Sequence, residues 1–443
     1  MEYPYVQYMY SYPHKKAYQA LSETDLKRYI HRLSGRENSL YMHIPFCQYK
    51  CGYCNLFSLA GKNERQMEAY VEAMERHAGQ LSEILPHDAA FSDLTLGGGT
   101  PLILPERLLR RVFSAAERCF GMKAGKQPIA VETSPNQTTE EKLCILKEKG
   151  VSRISIGVQS FQERELLSLH RFHTAEAAKK ALDLICRMNF ECVNMDFIYG
   201  IPGQTIESLE DSLQQGLEFD PDELFVYPLY VKPGTYLFQT GAECGKLAFE
   251  MYRFVRGFLE AKGYRAYSMR RFVKQNKEGE DAGLPESLCG FGNTLSIGCG
   301  GRSYIGNLHF CAPYAVEQRQ CQAILQDYIK QEDYLQVTHG FWLSKEEEKR
   351  RYVIRHILFG RGICRKDYRE HFGSEAEADF PLLSDWAKAG YAVKGEEFFS
   401  LTRQGIALSD FLGPQLISDE VRARMELSSG KNGAACQESG EYR

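Results

Sequence analysis

Between residues 39 and 235 this chain alternates short apolar segments with longer helical ones, and that alternation restricts the possible folds more than any other feature. The apolar segments, rich in β-branched residues, lie at 40–46, 94–97, 129–133, 153–158, 192–199 and 223–230. Strands that alternate with helices pair in parallel through right-handed crossovers. The segments are apolar without strict alternation, so we expect strands that are apolar and covered on both faces. The pattern predicts an α/β fold with six βα units, a partial parallel (β/α)6 barrel of the TIM type.

In such barrels the chemistry lies at the C-terminal ends of the strands, where loops and helix N-termini converge. The candidate functional residues of this chain follow that rule. Cys47 follows the first predicted strand, a glycine run ends the second, and Glu132 lies near the end of the third. Gln159 ends the fourth strand and Asp196 lies in the fifth. The sequence therefore predicts one site at one end of the barrel.

Four further segments flank the predicted barrel core at 39–235. Residues 1–38 form a Tyr-rich N-terminal arm, and residues 236–340, with a polar loop at 274–284, are expected to extend the barrel on its substrate side. A module at 341–427, with helical stretches followed by a hairpin at 391–401, resembles a small winged-helix unit. Residues 428–443 are rich in Gly, Ser and Glu, and they are expected to be disordered.

Composition excludes several classes of protein. The net charge of −4 over 443 residues supplies no positive field to attract nucleic acid or an anionic membrane. No segment approaches the roughly 20 apolar residues that a membrane span needs, and the N-terminus lacks the pattern of an export signal. We therefore expect a cytoplasmic monomer that acts on a small-molecule substrate, with no nucleic-acid or membrane partner.

Three of the fourteen cysteines cluster, and they carry the strongest functional signal. Cys47, Cys51 and Cys54 place three thiols close together as Cys-x3-Cys-x2-Cys. Most of the others lie singly in apolar segments, where reduced thiols pack as small hydrophobic groups. Three thiolates on a [4Fe–4S] cluster leave one iron without a protein ligand, and that iron can bind the amino and carboxylate groups of S-adenosylmethionine (SAM).

Two alternatives accompany this interpretation. A zinc site completed by a fourth ligand such as His43 would use the same thiols, but zinc motifs usually supply a second ligand pair downstream, and this chain has none. The glycine run 97–99, followed by Thr100 and Pro101, would let backbone amides approach a ligand. A tight turn without ligand contact gives the same pattern, whereas a phosphate-binding loop would need Lys and Ser or Thr after the glycines.

Three charged residues near the predicted strand ends are candidates for ligand binding. Glu132 lies on an otherwise apolar strand and would be costly to bury without a partner. A ribose hydroxyl or an ammonium group would satisfy it, as would a structural salt bridge. The same choice applies to Asp196 and to Arg171, whose guanidinium suits a carboxylate.

Four stretches of the chain resemble the radical SAM family that includes the oxygen-independent coproporphyrinogen III oxidase HemN, the haem chaperone HemW and related methyltransferases. They are 41–47 (Tyr-Met-His-Ile-Pro-Phe-Cys), 97–101 (Gly-Gly-Gly-Thr-Pro), 153–161 (Arg-Ile-Ser-Ile-Gly-Val-Gln-Ser-Phe) and 196–202 (Asp-Phe-Ile-Tyr-Gly-Ile-Pro). With residues 233–235 and the C-terminal module, the resemblance extends over most of the chain.

The resemblance implies which residues bind the cofactors, a [4Fe–4S] cluster and one or two SAM molecules. Residues that would contact the SAM on the cluster are Tyr41, Tyr53, Gly98 and Glu132. Residues that would match a second SAM site are Gly99, Thr100, Gln159, Arg171 and Asp196. No residue is assigned to the chemical step itself.

The resemblance also implies an activity. SAM would be cleaved reductively at the cluster, with an electron from a flavodoxin- or ferredoxin-type donor, and a hydrogen atom would be taken from the substrate. A porphyrinogen or another tetrapyrrole is the best candidate, because the oxidase decarboxylates propionate side chains to vinyl groups. Methyl transfer from a second SAM, and a haem chaperone without substrate turnover, are the alternatives.

Three departures from the family bear on that choice. Leu56 stands where the oxidase has a further cysteine, and Arg302 stands where the oxidase has an apolar residue and the chaperone a histidine. The segment 8–13, Tyr-Met-Tyr-Ser-Tyr-Pro, resembles an N-terminal segment of the oxidase that the chaperone lacks. Such an arm would either pack against the barrel or close the site over a flat apolar substrate, and both would bury its tyrosines.

Overall fold

The computed structural model describes residues 4–9, 11–35, 37–61, 63–275 and 292–437. Tyr10 of the aromatic arm, most of the predicted polar loop at 274–284, and residues 438–443 of the expected tail lie outside the described residues.

One large sheet organises the described part of the chain. It has thirteen strands in the order β1-β15-β14-β13-β12-β2-β5-β6-β7-β8-β9-β11-β10, and small sheets of order β16-β18-β17 and β3-β4 accompany it. The strands are β1 (Gln19–Asp25), β2 (Glu37–Ile44), β3 (Phe46–Cys47), β4 (Leu59–Ala60), β5 (Ala90–Gly98), β6 (Ile129–Thr133), β7 (Arg153–Gln159), β8 (Cys192–Tyr199), β9 (Glu223–Pro228), β10 (Tyr264–Ala266), β11 (Arg271–Lys274), β12 (Asn293–Ile297), β13 (Arg302–Ile305), β14 (Leu308–Cys311), β15 (Gln336–Trp342), β16 (Ile363–Cys364), β17 (Ala392–Lys394) and β18 (Phe398–Leu401).

Helices connect the parallel strands, and polar caps fix where several of them begin. Asn63, Thr139, Thr174 and Thr205 each accept a backbone N–H of the first turn with their side chain. The helices are α1 (Glu64–Ile84), α2 (Glu106–Phe120), α3 (Glu140–Glu148), α4 (Glu163–Ser168), α5 (Ala175–Met188), α6 (Ile206–Leu217), α7 (Tyr236–Gln239), α8 (Ala248–Ala261), α9 (Gln318–Lys330), α10 (Lys345–Ile357), α11 (Arg365–Phe372), α12 (Ala376–Asp379), α13 (Pro381–Lys388), α14 (Arg403–Ala407), α15 (Ser409–Leu412) and α16 (Asp419–Gln437).

The predicted α/β fold with a partial parallel barrel is confirmed. Strands β2, β5, β6, β7, β8 and β9 pair in parallel in chain order, and the sheet does not close on itself. Strand β12 adds a parallel neighbour on the open side of β2, followed by the antiparallel strands β13, β14, β15 and β1. Residues 298–301, with the sequence Gly-Cys-Gly-Gly, form the turn of the hairpin between β12 and β13.

The expectation that the barrel strands are apolar on both faces is wrong. Paired residues on the helix side are apolar, as in the row Met42, Leu96, Val131, Ile154 and Val193, and they belong to the main core. The opposite face carries polar rows that line the interior of the half barrel. One such row is Glu132, Ser155, Asn194 and Glu223. The barrel therefore encloses a polar interior against which a polar ligand can bind.

The C-terminal module combines helices α10 to α15 with the small sheet of β16, β17 and β18. Helix α16 runs to Gln437, so the part of the expected disordered tail (428–443) up to that residue is helical. Among the described residues, no helix combines the length and the apolar content that are needed to cross a membrane.

The N-terminal arm crosses the open side of the half barrel. Tyr5 donates to the carbonyl of Ala248 at 3.1 Å, and Tyr8 stacks on Tyr230 beyond the end of β9, with 6.3 Å between ring centroids. Ser11 accepts a hydrogen bond from Arg302 on β13. The arm thus contacts both edges of the parallel strands, and its next aromatic residues pack into the core of the C-terminal module.

Candidate functional site

The three clustered cysteines lie on a loop that the barrel holds at several points. Cys47 is in β3, and its carbonyl accepts the N–H of Gly61 at 3.0 Å. The Cys54 N–H donates to the carbonyl of Cys51 at 3.1 Å, which forms the turn between those two thiols. Gly52 donates to Leu169 at 2.9 Å and accepts from Leu237 at 2.9 Å. These backbone bonds fix the loop without using the thiols, which stay available as ligands.

The glycine run after β5 lies directly beside the first thiol. A Cβ added to Gly99 would be 2.6 Å from the carbonyl oxygen of Phe46 and 2.9 Å from the Sγ of Cys47. The adjacent Thr100 hydroxyl lies 3.7 Å from the same Sγ. Only glycine therefore fits at position 99. This disfavours the alternative that the glycine run is a tight turn with no role in the site, because the run packs directly against Cys47.

We expect Gly99→Ala to lower incorporation of an iron–sulfur cluster sharply while the fold persists, because the new methyl group displaces Cys47. Iron and acid-labile sulfide per chain, after anaerobic reconstitution, measure the effect, and circular dichroism checks the fold. Gly79→Ala on α1, where an added Cβ meets nothing within 4 Å, is the matched control. Full cluster loading of the Gly99 variant would contradict the expectation.

Two of the three clustered thiols, those of Cys47 and Cys54, ionise less readily than an exposed cysteine. Burial, followed by the neighbouring thiols of Cys54 and Cys51, raises the pKa of Cys47 to about 12, and burial also raises the pKa of Cys54. Metal binding requires the thiolate form. Cys47 and Cys54 therefore keep their protons until a metal displaces them.

Arg171 connects the cysteine loop to the end of β7. One of its terminal nitrogens lies 3.0 Å from the Sγ of Cys51 and 3.4 Å from the hydroxyl of Tyr53, and the other donates to the carbonyl of Gly157. Its Nε donates to His173 at 3.0 Å. The side chain is buried, so its charge acts on the thiol and the phenol at short range.

Glu132 projects from β6 into the polar interior, where its carboxylate accepts the N–H of Gly98 at 3.0 Å. A Cβ on Gly97 would lie 2.9 Å from the same carboxylate, so this glycine also makes room for it. The side chain of Glu132 faces the open interior of the barrel. The protein that surrounds this interior keeps the carboxyl away from bulk water, and this burial raises the pKa of Glu132 to about 7. No salt bridge to Glu132 occurs among the described residues, which disfavours the structural alternative for this residue.

Gln159 and Asp196 lie at the ends of the next two strands. Gln159 has φ of 70°, a left-handed conformation that is rare outside glycine, at a β-bulge between β7 and β8. Asp196 accepts the side-chain amide of Asn194 at 2.8 Å, and burial raises the pKa of Asp196 to about 6. The amide oxygen of Asn194 is buried with no partner among the described residues. Such strained and unsatisfied groups are typical of a binding site.

His43 is unavailable as a metal or haem ligand. One ring nitrogen lies 3.1 Å from the Tyr41 hydroxyl and the other lies 3.0 Å from the carbonyl of Phe57, and the side chain is buried. Within the described ranges, no three His, Cys, Asp or Glu side chains converge on one metal ion. A zinc ion needs such convergence, whereas a cuboidal cluster receives each thiolate on a different iron. The geometry therefore disfavours the zinc alternative.

The site residues predicted from the sequence all lie around the same end of the barrel interior. Tyr41 and Glu132 line the interior, the residues Gly98, Gly99 and Thr100 form its edge beside the cysteines, and Tyr53 and Arg171 bridge to the loop. Two features were missed. A buried ion pair joins Arg153 to Glu223 at 2.7 Å on the inner face, and the N-terminal arm brings Lys15 near Arg302. No local sequence signal links residues so far apart.

Comparison with known proteins agrees with this geometry. The model of the radical SAM superfamily matches residues 41–215. The haem chaperone HemW of Bacillus subtilis is 28% identical over 383 residues, covering 84% of this chain and 97% of that protein. HemW of Escherichia coli is 30% identical over 271 residues, covering 59% of this chain and 68% of that protein.

This chain belongs to the HemN/HemW family of radical SAM proteins. The solved structure of coproporphyrinogen III oxidase (HemN) from E. coli has the same fold, with a TM-score of 0.78, 22% identity, and coverage of 92% of this chain and 96% of that one. The family uses a [4Fe–4S] cluster and SAM, and these are the cofactors of this radical SAM protein.

The described residues fit both cofactors. Three thiols lie beside a glycine run where an added Cβ would collide with Cys47 or with Glu132, so the run lets both side chains approach its backbone. Glu132 and Asp196 supply carboxylates, and the amide oxygen of Asn194 lacks a donor. Polar groups of this kind suit the ribose hydroxyls and the ammonium group of SAM.

Proposed function

We propose that this radical SAM protein takes a hydrogen atom from a tetrapyrrole, with coproporphyrinogen III as the best candidate. The cluster and SAM, when bound, supply the primary carbon radical that performs the abstraction. Because such a radical reacts with almost any nearby C–H bond, the chain contributes positioning and the exclusion of water more than acid–base groups.

The proposal assigns the cluster to Cys47, Cys51 and Cys54, and Arg171 holds the loop between them. Residues around the SAM on the cluster are Tyr41, Tyr53, Gly98 and Glu132. Residues for a second SAM molecule are Gly99, Thr100, Gln159, Arg171 and Asp196. Arg171 already donates to Gly157 and lies against Cys51, so its role at the second site is to fix the edge of the pocket.

The main support for a tetrapyrrole substrate is a group of aromatic side chains at the open side of the barrel. The ring of Tyr8 in the arm stacks on the ring of Tyr230 and meets the ring of Tyr227 edge to face. Tyr227 in turn stacks on the inward-facing Phe225 of the same strand. Aromatic faces suit the individual pyrrole rings of a tetrapyrrole. The polar rows on the neighbouring strands suit the cofactors, so the walls of the interior differ in chemistry.

The test uses anaerobically reconstituted protein with SAM, a strong reductant and coproporphyrinogen III. We expect 5′-deoxyadenosine to form only with the porphyrinogen, and CO₂ to be released when an added one-electron acceptor takes the electron left on the substrate radical. Formation of 5′-deoxyadenosine at the same rate with and without it would contradict the substrate. Accumulation of S-adenosylhomocysteine would instead indicate methyl transfer.

A haem chaperone function is the second candidate, favoured by the match to HemW of B. subtilis over 97% of that protein. It predicts stable haem binding with little turnover of SAM. The protein ligand of the haem iron would not be His43, because both ring nitrogens are engaged.

For the enzymatic reaction, the electron donor to the cluster is proposed to be a flavodoxin- or ferredoxin-type protein.

We expect the affinity for SAM to depend on the ionisation of Glu132. Burial raises the pKa of this carboxyl to about 7, so it is mostly protonated below that pH and accepts hydrogen bonds as a carboxylate above it. The dissociation constant of SAM should fall about tenfold between roughly pH 6 and pH 8, as the ionised fraction rises. Isothermal titration of the oxidised, cluster-loaded protein measures it.

Glu132→Gln is the matched variant, because it keeps the size and a hydrogen-bond acceptor but does not titrate. Its affinity for SAM should be weaker and should lose this pH dependence. A variant that keeps the full pH dependence of the wild-type protein would assign the titration to another group, such as Asp196.

A further inference from the structure

The inner face of the barrel continues beyond β2 onto the strands that follow β12. Ser296 pairs with Tyr41, Thr294 pairs with Tyr304, and Arg302 pairs with Cys311. Paired residues share a face of a sheet, so Arg302 projects to the same side as Tyr41. Its charge acts on Tyr41, opposing the effect of burial on that pKa. Arg302 therefore belongs to the wall of the interior.

Lys15 meets this wall from the N-terminal arm. It lies in a 3-10 helix at Lys15–Ala17, only 9% exposed, with its ammonium nitrogen 4.5 Å from the centre of the Tyr314 ring. Arg302 and the thiols of Cys311 and Cys54 are close enough to act on its charge. No carboxylate in the described part of the chain pairs with this ammonium group.

Further cations surround the same place. Burial is the main cause that lowers the pKa of His14 to about 3, and the charges of Arg302, Lys15, Lys16 and Lys232 add to it. Four cationic side chains are therefore close enough to His14 to act on its charge. The cofactor side of the interior, with Glu132 and Asp196, has the opposite character, so the pocket is electrostatically polarised from one wall to the other.

A buried ammonium group without an anion is costly, and a structure retains it where a ligand supplies the missing charge. We propose that Lys15 and Arg302 form a receptor for a carboxylate group of the substrate, beside the cluster loop. The proposal rests on the proposed function, and it narrows the substrate class to tetrapyrroles or similar large molecules with acidic side chains. Held there, a carboxylate fixes which part of the substrate faces the cofactors.

A different role for Lys15 would be to balance the negative charge of the cluster, because Cys54 lies near it. The two roles separate experimentally. A carboxylate receptor affects the binding of acidic ligands and leaves the cluster unchanged. A charge-balancing group affects the cluster whether or not a substrate is present.

The experiment compares wild-type protein with Lys15→Met, Lys15→Arg and Lys126→Met, all loaded with cluster and SAM. Lys126 is an exposed lysine in the segment between α2 and β6, away from the site. The probes are coproporphyrin III, which carries four carboxylates, and its uncharged tetrakis(hydroxyethyl)amide. Fluorescence titration gives both dissociation constants. The signal of the reduced cluster in electron paramagnetic resonance, and substrate-independent cleavage of SAM, report on the cluster.

We expect Lys15→Met to weaken binding of coproporphyrin III by about tenfold or more, the usual cost of losing a bond to a charged group. Binding of the neutral amide and both cluster readouts should be unchanged. Lys15→Arg should restore most of the affinity, and Lys126→Met should have no effect. Equal losses for both probes, no loss for either, or a changed cluster signal would each overturn the proposal.

The failure of the proposed function is a separate result. If the formation of 5′-deoxyadenosine does not depend on coproporphyrinogen III, the proposed reaction is contradicted. The carboxylate receptor still stands or falls by the difference between the two probes, because that difference requires no turnover.

Discussion

Alanine in place of any one of Cys47, Cys51 or Cys54 is expected to abolish both the [4Fe–4S] cluster and the reductive cleavage of SAM. Each thiol would be the sole protein ligand of one iron, so no neighbour can replace it. The loss should exceed the roughly 10–100-fold effect of substitutions in the outer shell of a metal site. Iron and sulfide content, absorbance of the reconstituted protein, and formation of 5′-deoxyadenosine measure the result.

Cys144→Ala is the control for this experiment, because Cys144 is an exposed thiol on α3. It should reconstitute and cleave SAM as the wild-type protein does. A tetranuclear cluster that survived the replacement of all three clustered cysteines would remove the basis of the assignment. Treatment of wild-type protein with an iron chelator under anaerobic conditions should reproduce the cysteine variants, because both remove the cluster and leave the fold.

Asp410→Asn should destabilise the protein by about 3–5 kcal/mol, the usual cost of breaking one partner of a buried ion pair. Arg270, 4% exposed, pairs with Asp410, 1% exposed, and Tyr230 hydrogen-bonds to both. The guanidinium also lies 3.8 Å from the centre of the Tyr8 ring. The variant leaves this charge buried without its counterion, at the junction of arm, barrel and C-terminal module.

Denaturant unfolding followed by tryptophan fluorescence is suited to this test. The chain has two tryptophans. Trp342 in β15 reports on the large sheet, and Trp386 in α13 reports on the C-terminal module. Asp385→Asn is the control, because Asp385 pairs with Lys388 at 3.1 Å with both side chains exposed, and its loss should change little. A double variant Arg270→Met and Asp410→Leu should regain part of the stability, because it leaves no unpaired charge. An Asp410→Asn protein as stable as the wild type would refute the argument.

Much of the barrel could be predicted from the sequence, because its elements are local. The strands at 129–133 and 192–199 have the predicted bounds. The cysteine spacing and the glycine run are equally local signals. The polar face of the strands was visible as alternation in β8, where Asn194 and Asp196 alternate with Val193, Met195 and Phe197.

The remaining features depend on contacts between distant residues, which no local pattern encodes. Strand β12 pairs with β2 across more than half of the chain, and Lys15 meets Arg302 only because the arm crosses the barrel. His43 looked like a candidate ligand until Tyr41 and Phe57 were seen to engage both its nitrogens. In each case the chemistry of the residue was readable from the sequence, but its partner was not.

The route of the N-terminal arm has a consequence for biosynthesis. Tyr12 donates to Glu347, 335 residues later in the chain, so at about 5–20 residues per second the arm waits roughly 17 to 67 s on the ribosome for its partner. All the strands from β2 to β9 emerge earlier, as do the partners of Tyr5 and Tyr8 at Ala248 and Tyr230, so the half barrel can form before the arm is anchored at Tyr12. We expect the order of translation to leave the cavity accessible to assembly factors until the last quarter of the protein has been made.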